Sequence, residues 1–137
     1  MISAITCMAV AIYFEARNQP IAGQLAVAHV ISNRVASRHY PDTVCEVIQQ
    51  GATYDSGHPV KHRCQFSFWC EGKPETIQDY NAWRAAVRIA TAVRDTSVSR
   101  VDVSEGATHY HTTEVSPKWR YTLRMTVQIG QHVFYKP

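Results

Sequence analysis

The hydrophobic pattern of this 137-residue chain changes its period along the sequence, and this change restricts the folds open to it. Up to about residue 96, apolar residues mostly recur every three or four positions, which indicates α-helices. Across residues 121–129 they alternate with polar residues, and Gly130-Gln131 then allows a tight turn into a second strand at residues 132–135. The order predicts an α+β fold, mostly helical, with a small C-terminal β-hairpin.

Capping residues and apolar spacing predict four helices. Their expected ranges are residues 3–16 with Ser3 as the cap, 20–38 with Pro20 in the first turn, 42–50 with Asp42 as the cap, and 75–96. The second helix is expected to bury Ile21, Leu25, Ala28, Ile31 and Val35, and the fourth Ile77, Tyr80, Trp83, Val87 and Val93. Residues 51–73 contain Gly and Pro breaks without a sustained period, so we expect a long ordered loop there.

Length and composition are those of an ordinary globular protein, and we expect one domain over residues 1–137. The net charge of +3 favours anionic partners. The sequence contains no run of basic residues of the kind that binds nucleic acid, so we expect no nucleic-acid partner. The first fourteen residues are apolar-rich, yet they carry no Lys or Arg and no cleavage site follows them. Because this segment is also too short to cross a bilayer, we expect a buried first helix, with no export signal and no membrane insertion.

Glu15 lies near the end of this apolar helix and is the first candidate for catalysis. Its helical neighbours three and four residues earlier are Ile12 and Ala11. Apolar surroundings disfavour a charged carboxylate and raise its pKa, as a general acid requires near neutral pH. The alternative is a solvent-exposed Glu15 that pairs with Arg17 or with a later arginine.

Several blocks of the sequence resemble one known family. They lie at residues 11–17, 20–35, 41–48, 64–68, 107–111, 115–119 and 129–135, and include Ala11-Ile-Tyr-Phe-Glu-Ala-Arg17, Cys64-Gln-Phe-Ser-Phe68 and Ile129-Gly-Gln-His-Val-Phe-Tyr135. In this order they resemble the SleB-type cell-wall hydrolases, which include spore-cortex-lytic enzymes. The resemblance covers nearly the whole chain.

The resemblance implies a lysozyme-like domain that cleaves peptidoglycan between N-acetylmuramic acid and N-acetylglucosamine. It implies a lytic transglycosylase with one carboxyl, Glu15, which protonates the glycosidic oxygen and then takes the proton of the muramic C6 hydroxyl. The product is a 1,6-anhydro sugar, and no metal or cofactor is implied. Glu71 is a possible second acid, since glycosidases that use water carry a pair of carboxyls.

Polar and aromatic residues elsewhere in these blocks are candidates for substrate binding. Amide and hydroxyl groups can hydrogen-bond sugars, and aromatic rings can stack on them. The candidates are Gln65, Ser67, Tyr110, Trp119 and Tyr135. The alternatives are hydrogen bonds within the loop for the polar pair and core packing for the aromatic residues.

The four cysteines allow three disulfide pairings, and the sequence alone does not select one. Cys64 and Cys70 flank a short segment that a bridge would stiffen, so we expect that pair. Cys7 and Cys45 then remain, either as a second bridge or as buried thiols.

Three other activities compete with transglycosylation. One is a muramidase or glucosaminidase that uses water, and another is a non-catalytic wall-binding module. The third is a zinc amidase, with His109 and His111 joined by His58 or His62. We expect a monomer that binds glycan strands and acts in the periplasm or wall. Its setting is either a phage endolysin released from the host cytoplasm or a domain of a longer exported protein.

Overall fold

The computed structural model describes residues 2–71, 76–95 and 101–137. In chain order its elements are α1 (Ala4–Ala16), α2 (Ile21–Ala36), α3 (Val44–Ile48), β1 (Gly51–Thr53), β2 (Pro59–Cys64), α4 (Ser67–Cys70), α5 (Tyr80–Arg94), β3 (His109–Thr112), a 3-10 helix (Lys118–Tyr121), β4 (Arg124–Ile129) and β5 (His132–Lys136). Strands β1 and β2 form one antiparallel pair, and β3, β5 and β4 form an antiparallel sheet in that order. The α+β prediction is confirmed.

Helix α1 occupies the centre of the molecule and contacts α2, α3 and α5. It is apolar on nearly all faces, as expected of a helix covered on several sides. Ser3 caps it by accepting a hydrogen bond from the Thr6 N–H at 3.1 Å, as predicted. At its other end the buried Tyr13 hydroxyl accepts the N–H groups of Gln78 at 3.2 Å and Asp79 at 3.0 Å. These bonds fix the start of α5 against α1.

The prediction for the second helix holds for Ala28 and Ile31, which are fully buried, and for Leu25 and Val35, which pack partly buried against the core, but it was wrong for Ile21. Pro20 directly precedes α2 instead of lying in its first turn, and Ile21 is 68% exposed. The buried residues are Gly23, Gln24, Ala26, Val27, Ala28, Val30, Ile31 and Arg34. This face is wider than one stripe because α1, α3 and α5 all pack on α2, while Asn33 and Arg34 bond the backbone at residues 107 and 108.

The other two predicted helices are shorter than expected because their caps lie further along the chain. Thr43, and not Asp42, caps α3 by accepting the Glu46 N–H, and Asp79 caps α5 by accepting the Ala82 N–H. Tyr80 therefore begins α5 and is exposed, whereas Ala86, Ile89 and Ala90 are buried. Residues 75 and 96 of the predicted range lie outside the described residues. Over the described part of the chain, no helix is both long and apolar enough to cross a bilayer.

The long loop expected at residues 51–73 was wrong where the structure describes it. Residues 51–64 form the β1–β2 hairpin and residues 67–70 form α4, while residues 72 and 73 lie outside the described residues. Gly51 pairs with Cys64, and a Cβ atom on Gly51 would lie 2.6 Å from the Cys64 Cα. The glycine that looked like a break is required by the close approach of two strands.

Two disulfides are present in the structure: the expected Cys64–Cys70, and Cys7–Cys45, which the sequence left open between a bridge and buried thiols. Cys64–Cys70 closes a short ring around the start of α4, with a Cα–Cα distance of 6.1 Å. Cys7–Cys45 joins α1 to α3, with a Cα–Cα distance of 5.4 Å. One bridge is therefore local, and the other connects two helices of the core.

The C-terminal hairpin is confirmed, but its first strand begins at Arg124 because residues 118–121 form the 3-10 helix. A bulge between Met125 and Val127 interrupts the predicted alternation and leaves Met125 exposed. At the hairpin tip, Gln19 accepts the Gln131 N–H through Oε1 at 2.9 Å and donates through Nε2 to the Gln131 Oε1 at 3.1 Å. These bonds hold the sheet beside the C-terminal end of α1.

Candidate active site

Glu15 is the penultimate residue of α1 and lies at the edge of the core. Ala11, Ile12 and Ala16 around it are fully buried, whereas the Glu15 side chain keeps partial access to solvent. Two cavities open onto it, and Glu15 lines both. The carboxyl therefore lies between an apolar helix and a concave surface that a ligand can reach, and not on an open face.

Tyr110 of β3 is the direct partner of this carboxyl. Its hydroxyl donates to Oε1 of Glu15 at 2.6 Å. Pairing of Tyr110 with Phe134 in β5 fixes its backbone, and its ring packs 5.0 Å from the His132 ring and 5.6 Å from the Phe134 ring. The sheet thus holds a hydroxyl donor in a set position against the helix that carries Glu15.

The pKa of Glu15 is raised above its usual value. Burial is the largest cause, because it removes water from the charged form. The hydrogen bond from Tyr110 favours the carboxylate and lowers the pKa, the negative charge of Glu71 raises it, and the positive charge of Arg34 lowers it. The net direction is upward, so the site favours a protonated carboxyl at a higher pH than solvent does.

The first of the two cavities, here named the inner cavity, has a volume of about 170 Å³. Its lining residues come from α1, α2, β3, the 3-10 helix and the two residues just before α4. They are Glu15, Arg34, Gln65, Phe66, His109, Tyr110 and Trp119. Three residues predicted to bind substrate, Gln65, Tyr110 and Trp119, therefore meet at the predicted acid.

The second, here named the outer cavity, has a volume of about 330 Å³ and shares only Glu15 with the inner cavity. It is lined by Phe14, Glu15, Asn18, Gln19, Thr112, Thr113, Glu114, Gln131 and His132. The carboxyl of Glu15 is common to both cavities. An extended polymer could therefore occupy both cavities, whereas a small ligand would fill one of them.

Glu71 and Ser67 lie apart from these two cavities. Glu71 directly follows α4 and lines a neighbouring cavity with Phe14 and Arg17. Its charge acts on Glu15, but its side chain lines neither the inner nor the outer cavity. Ser67 is the exposed first residue of α4 and lines neither one.

Tyr135 is buried behind Trp119 and does not line the inner cavity. The two rings meet edge to face at 5.2 Å, and the Tyr135 hydroxyl shares a hydrogen bond of 2.9 Å with Nε2 of His111. Trp119 also packs 5.2 Å from the His109 ring and 5.7 Å from the His111 ring. In this geometry Tyr135 supports Trp119, and Trp119 faces the cavity.

The histidines proposed as zinc ligands do not converge. Among the described residues, no group of three or more His, Cys, Asp and Glu side chains could hold a metal ion. His58 and His62 are exposed in the β1–β2 hairpin, and His109 and His111 form hydrogen bonds with hydroxyl and carbonyl groups of the sheet region. The arrangement that a zinc amidase would need is not formed by these residues.

Arg34 is the main site residue that the sequence reasoning missed. It is only 5% exposed, and its Nε donates to the Thr108 carbonyl at 2.7 Å. The Tyr40 and Phe66 rings lie 5.0 Å and 5.6 Å from its guanidinium carbon. The sequence did offer a signal for this residue. Arg34 follows Val30 by four positions and Ile31 by three, so it lies on the same face of α2 as these buried residues, where a charged side chain is rare.

Comparison with known proteins identifies the class. The family model described as Cell Wall Hydrolase matches residues 18–135, so the chain belongs to this family. It is 32% identical to the spore cortex-lytic enzyme of Halalkalibacterium halodurans over 95% of this chain and 34% of the relative. The enzyme of the same name from Oceanobacillus iheyensis is also 32% identical, over 96% of this chain and 41% of the relative. The chain thus spans less than half the length of these curated relatives.

Solved structures agree with the family assignment. The catalytic domain of the germination-specific lytic transglycosylase SleB from Bacillus anthracis aligns with a TM-score of 0.64 and 28% identity, covering 97% of this chain and 93% of that one. The catalytic domain of the Bacillus cereus SleB protein aligns with a TM-score of 0.66 and 29% identity, over 97% and 89% of the two chains. The lysozyme-like α+β fold expected from the resemblance is thereby confirmed. The family model begins after Glu15, whereas these matches extend over nearly the whole chain.

Proposed function

We propose that this domain cleaves peptidoglycan glycan strands between N-acetylmuramic acid and N-acetylglucosamine, as a lytic transglycosylase in which Glu15 is the one catalytic carboxyl. The observation that carries the proposal is the Glu15 carboxyl itself. It has a raised pKa, is held by Tyr110 at 2.6 Å, and lies where two cavities meet. Membership of the cell wall hydrolase family and the likeness to a lytic transglycosylase domain support the substrate class and the reaction.

In the first step, protonated Glu15 gives its proton to the glycosidic oxygen. The bond from the muramic C1 atom to that oxygen breaks, and its electron pair stays with the departing N-acetylglucosamine. In the second step, the C6 hydroxyl oxygen of the same muramic residue bonds to C1 and loses its proton to the Glu15 carboxylate. The acid is regenerated, no water is consumed, and the product has a 1,6-anhydro ring.

The hydroxyl of Tyr110 has a defined part in this cycle. Glu15 is negatively charged only between the two proton transfers, and a hydrogen bond to Oε1 stabilises the charged form. Burial does the opposite and favours the protonated form that the acid needs before substrate is cleaved. The two influences together suit a group that must first release a proton and then recover it.

Glu15→Gln tests the proposal. Glutamine keeps the size of the side chain but has no proton to release, so we expect lysis of purified peptidoglycan to fall by about 100-fold or more. Wall binding, measured by co-sedimentation, should persist. Lysis at the parental rate would contradict the assignment, and a variant that loses binding as well would favour misfolding over lost chemistry.

Glu71→Gln is the matched control and also addresses hydrolysis by a second carboxyl. Glu71 is close enough to influence the Glu15 pKa, which keeps a muramidase or glucosaminidase in consideration. If Glu15 acts alone, this variant should keep its rate within about tenfold of the parent. Mass spectrometry should then find anhydro ends on the products. Reducing ends, with activity lost in Glu71→Gln, would identify a two-carboxyl hydrolase.

The setting is part of the same proposal. Peptidoglycan lies outside the cytoplasmic membrane, so the domain would act in the periplasm or the wall, as a monomer. Release as a phage endolysin and export as part of a longer protein are both compatible with this chemistry. The test is to add the purified chain to intact cells, with and without permeabilisation of the membrane. Lysis of intact cells would show that the chain reaches peptidoglycan from outside, and lysis only after permeabilisation would show that a membrane stands between them. Sedimentation velocity would test the monomer.

A further inference from the structure

We propose that the Arg34 guanidinium binds a carboxylate of the glycan strand in the inner cavity. The assignment of that carboxylate to a peptidoglycan strand rests on the proposed function. The existence of an anion site at Arg34 does not, because it follows from the burial, the partners and the charge of this side chain.

Arg34 is a buried cation with no ion-pair partner among the residues that the structure describes, and the Glu15 carboxyl of the same cavity acts on it from beyond ion-pair distance. It is 5% exposed, and no described carboxylate lies within ion-pair distance of it. The Tyr40 and Phe66 rings hold the plane of the guanidinium but carry no charge to balance it. Buried charges in proteins are usually paired, so an unpaired one indicates that a ligand supplies the counter-charge.

The free donors of Arg34 open toward the cavity. Within the described residues its hydrogen bond uses Nε, which donates to the Thr108 carbonyl. The side chain lines the inner cavity. Its two terminal nitrogens form no hydrogen bond with the described residues, and they are not fully buried. Two terminal N–H groups side by side match the two oxygens of a carboxylate.

With Glu15 protonated, as the proposed acid must be before cleavage, the inner cavity carries a positive charge. Burial favours the protonated form of Glu15, and burial followed by the charge of Arg34 lowers the pKa of His109 and so favours neutral imidazole. Burial raises the pKa of Tyr110, which stays neutral. When Glu15 is ready to act as an acid, Arg34 is therefore the one charged side chain described in this lining.

Peptidoglycan offers two kinds of carboxylate to such a site. Muramic acid carries a lactyl group whose carboxyl is free on bare strands and amide-bonded on strands that carry stem peptides. The stem peptide itself can carry carboxylates further from the sugar. Because Arg34 and Glu15 line the same cavity of about 170 Å³, either group would be bound close to the acid and would orient the muramic residue.

The first test uses the parent protein and needs no variant. Bare glycan strands with free lactyl carboxylates are compared with the same strands after conversion to methyl amides, and with peptide-bearing strands. Charge-assisted hydrogen bonds predict a KM about tenfold or more lower for the free carboxylate than for the methyl amide, with kcat changed less. If peptide-bearing strands have the same low KM as the free-lactyl strands, and esterification of their peptide carboxyls raises that KM, the bound carboxylate comes from the stem peptide. Equal KM values for all three substrates would overturn the inference.

The second test uses Arg34→Gln, Arg34→Lys and the control Arg38→Gln, an exposed arginine just beyond the end of α2. Arg34→Gln should remove the preference for carboxylate strands, Arg34→Lys should keep part of it, and Arg38→Gln should keep all of it. Urea unfolding identifies variants that fail to fold, for which the comparison on the parent protein decides. A preference that survives in folded Arg34→Gln would overturn the inference.

Binding separates this inference from the proposed function. The probe is the disaccharide of N-acetylglucosamine and N-acetylmuramic acid, as the free acid and as the methyl amide, titrated into the parent protein by calorimetry. Preferential binding of the acid without cleavage of any strand would contradict the proposed activity and support the Arg34 site. Cleavage of strands with equal binding of both probes would support the activity and contradict the site.

Discussion

At the scale of single residues, the chemistry of Glu15 is set by opposing influences of named neighbours. Burial is the largest and raises its pKa, the Tyr110 hydroxyl and Arg34 lower it, and Glu71 raises it. A group that acts as an acid works only while protonated. Under the proposed function, the pH at which activity falls on the alkaline side reports this pKa, and each neighbour has an effect of known sign.

Removal of the two neighbours should move the alkaline limb of the pH profile in opposite directions. Tyr110→Phe deletes a hydrogen bond that favours the carboxylate, so the pKa of Glu15 rises further and activity persists to higher pH. Glu71→Gln deletes a charge that disfavours the carboxylate, so the pKa falls and activity is lost at lower pH. The measurement is kcat/KM against pH on soluble glycan strands.

Tyr135→Phe is the control, because its hydroxyl bonds His111 and not Glu15. In this variant kcat/KM should fall at the same alkaline pH as in the parent, even if its maximum value changes. Shifts of the same sign in Tyr110→Phe and Glu71→Gln would contradict the electrostatic picture. A loss of all activity in Glu71→Gln would instead point to a second catalytic carboxyl.

The candidate site could be predicted in part. Glu15 stood out as an acid on an apolar helix, and the resemblance named Gln65, Tyr110 and Trp119, which the structure places in one cavity with it. Arg34 was missed because one face of α2 was expected to be buried and the real contact surface is wider. Which aromatic faces the cavity and which supports it depends on strand pairing, and sequence period does not specify that pairing.

At the scale of elements, the tip of the β4–β5 hairpin fixes how the sheet meets the helices. Gly130 has a φ of +57°, and a Cβ atom there would lie 2.5 Å from Oε1 of Gln19 and 2.9 Å from Cδ of Pro20. The same Gln19 oxygen accepts the Gln131 N–H. A side chain at this position would therefore be strained and would also push the hairpin away from the turn between α1 and α2.

Gly130→Ala and Gly57→Ala separate these two effects. Gly57 also has a positive φ, of +88°, but a Cβ atom there would meet nothing within 4 Å. We expect Gly57→Ala to lower the free energy of unfolding by about 1 kcal/mol through backbone strain, and Gly130→Ala by about 2–3 kcal/mol. Urea unfolding measures both. Equal losses would show that the contact with Gln19 and Pro20 has no energetic weight.

The elements also show what local signals can predict. Helix α1 and the C-terminal hairpin follow from a cap, a period and a turn, all contained in short stretches of sequence. The β1–β2 hairpin was missed because β1 is exposed and β2 has no buried residue and no alternation of half-buried and exposed positions. Helix α5 starts late because Tyr13, far away in sequence, binds the backbone at residues 78 and 79.

At the scale of the whole molecule, the two disulfides serve different parts of the fold. Cys7–Cys45 spans 38 residues and joins two core helices, whereas Cys64–Cys70 spans 6 residues beside the inner cavity. In the chain-entropy view, a cross-link stabilises more as the loop that it closes lengthens. Stability should therefore depend mainly on the first bridge, and the geometry of the site mainly on the second.

Replacing each pair by serines should show this division. The sequence separations predict losses in the free energy of unfolding of about 4 kcal/mol for Cys7→Ser with Cys45→Ser, and about 2 kcal/mol for Cys64→Ser with Cys70→Ser. Catalysis should respond in the reverse order. Gln65 and Phe66, inside the short ring, line the inner cavity, so their displacement should lower kcat/KM by roughly 10- to 100-fold.

The long-range pair tests whether this loss is specific. Assayed well below its unfolding transition, the Cys7 and Cys45 double variant should cleave glycan strands at nearly the parental kcat/KM, because α3 contributes no residue to either cavity that meets Glu15. Urea unfolding and initial rates on the same preparations provide both measurements. A less stable Cys64 and Cys70 variant with unchanged catalysis would mean that the packing of Phe68 on Phe14, with ring centroids 5.3 Å apart, holds the cavity wall without the bridge.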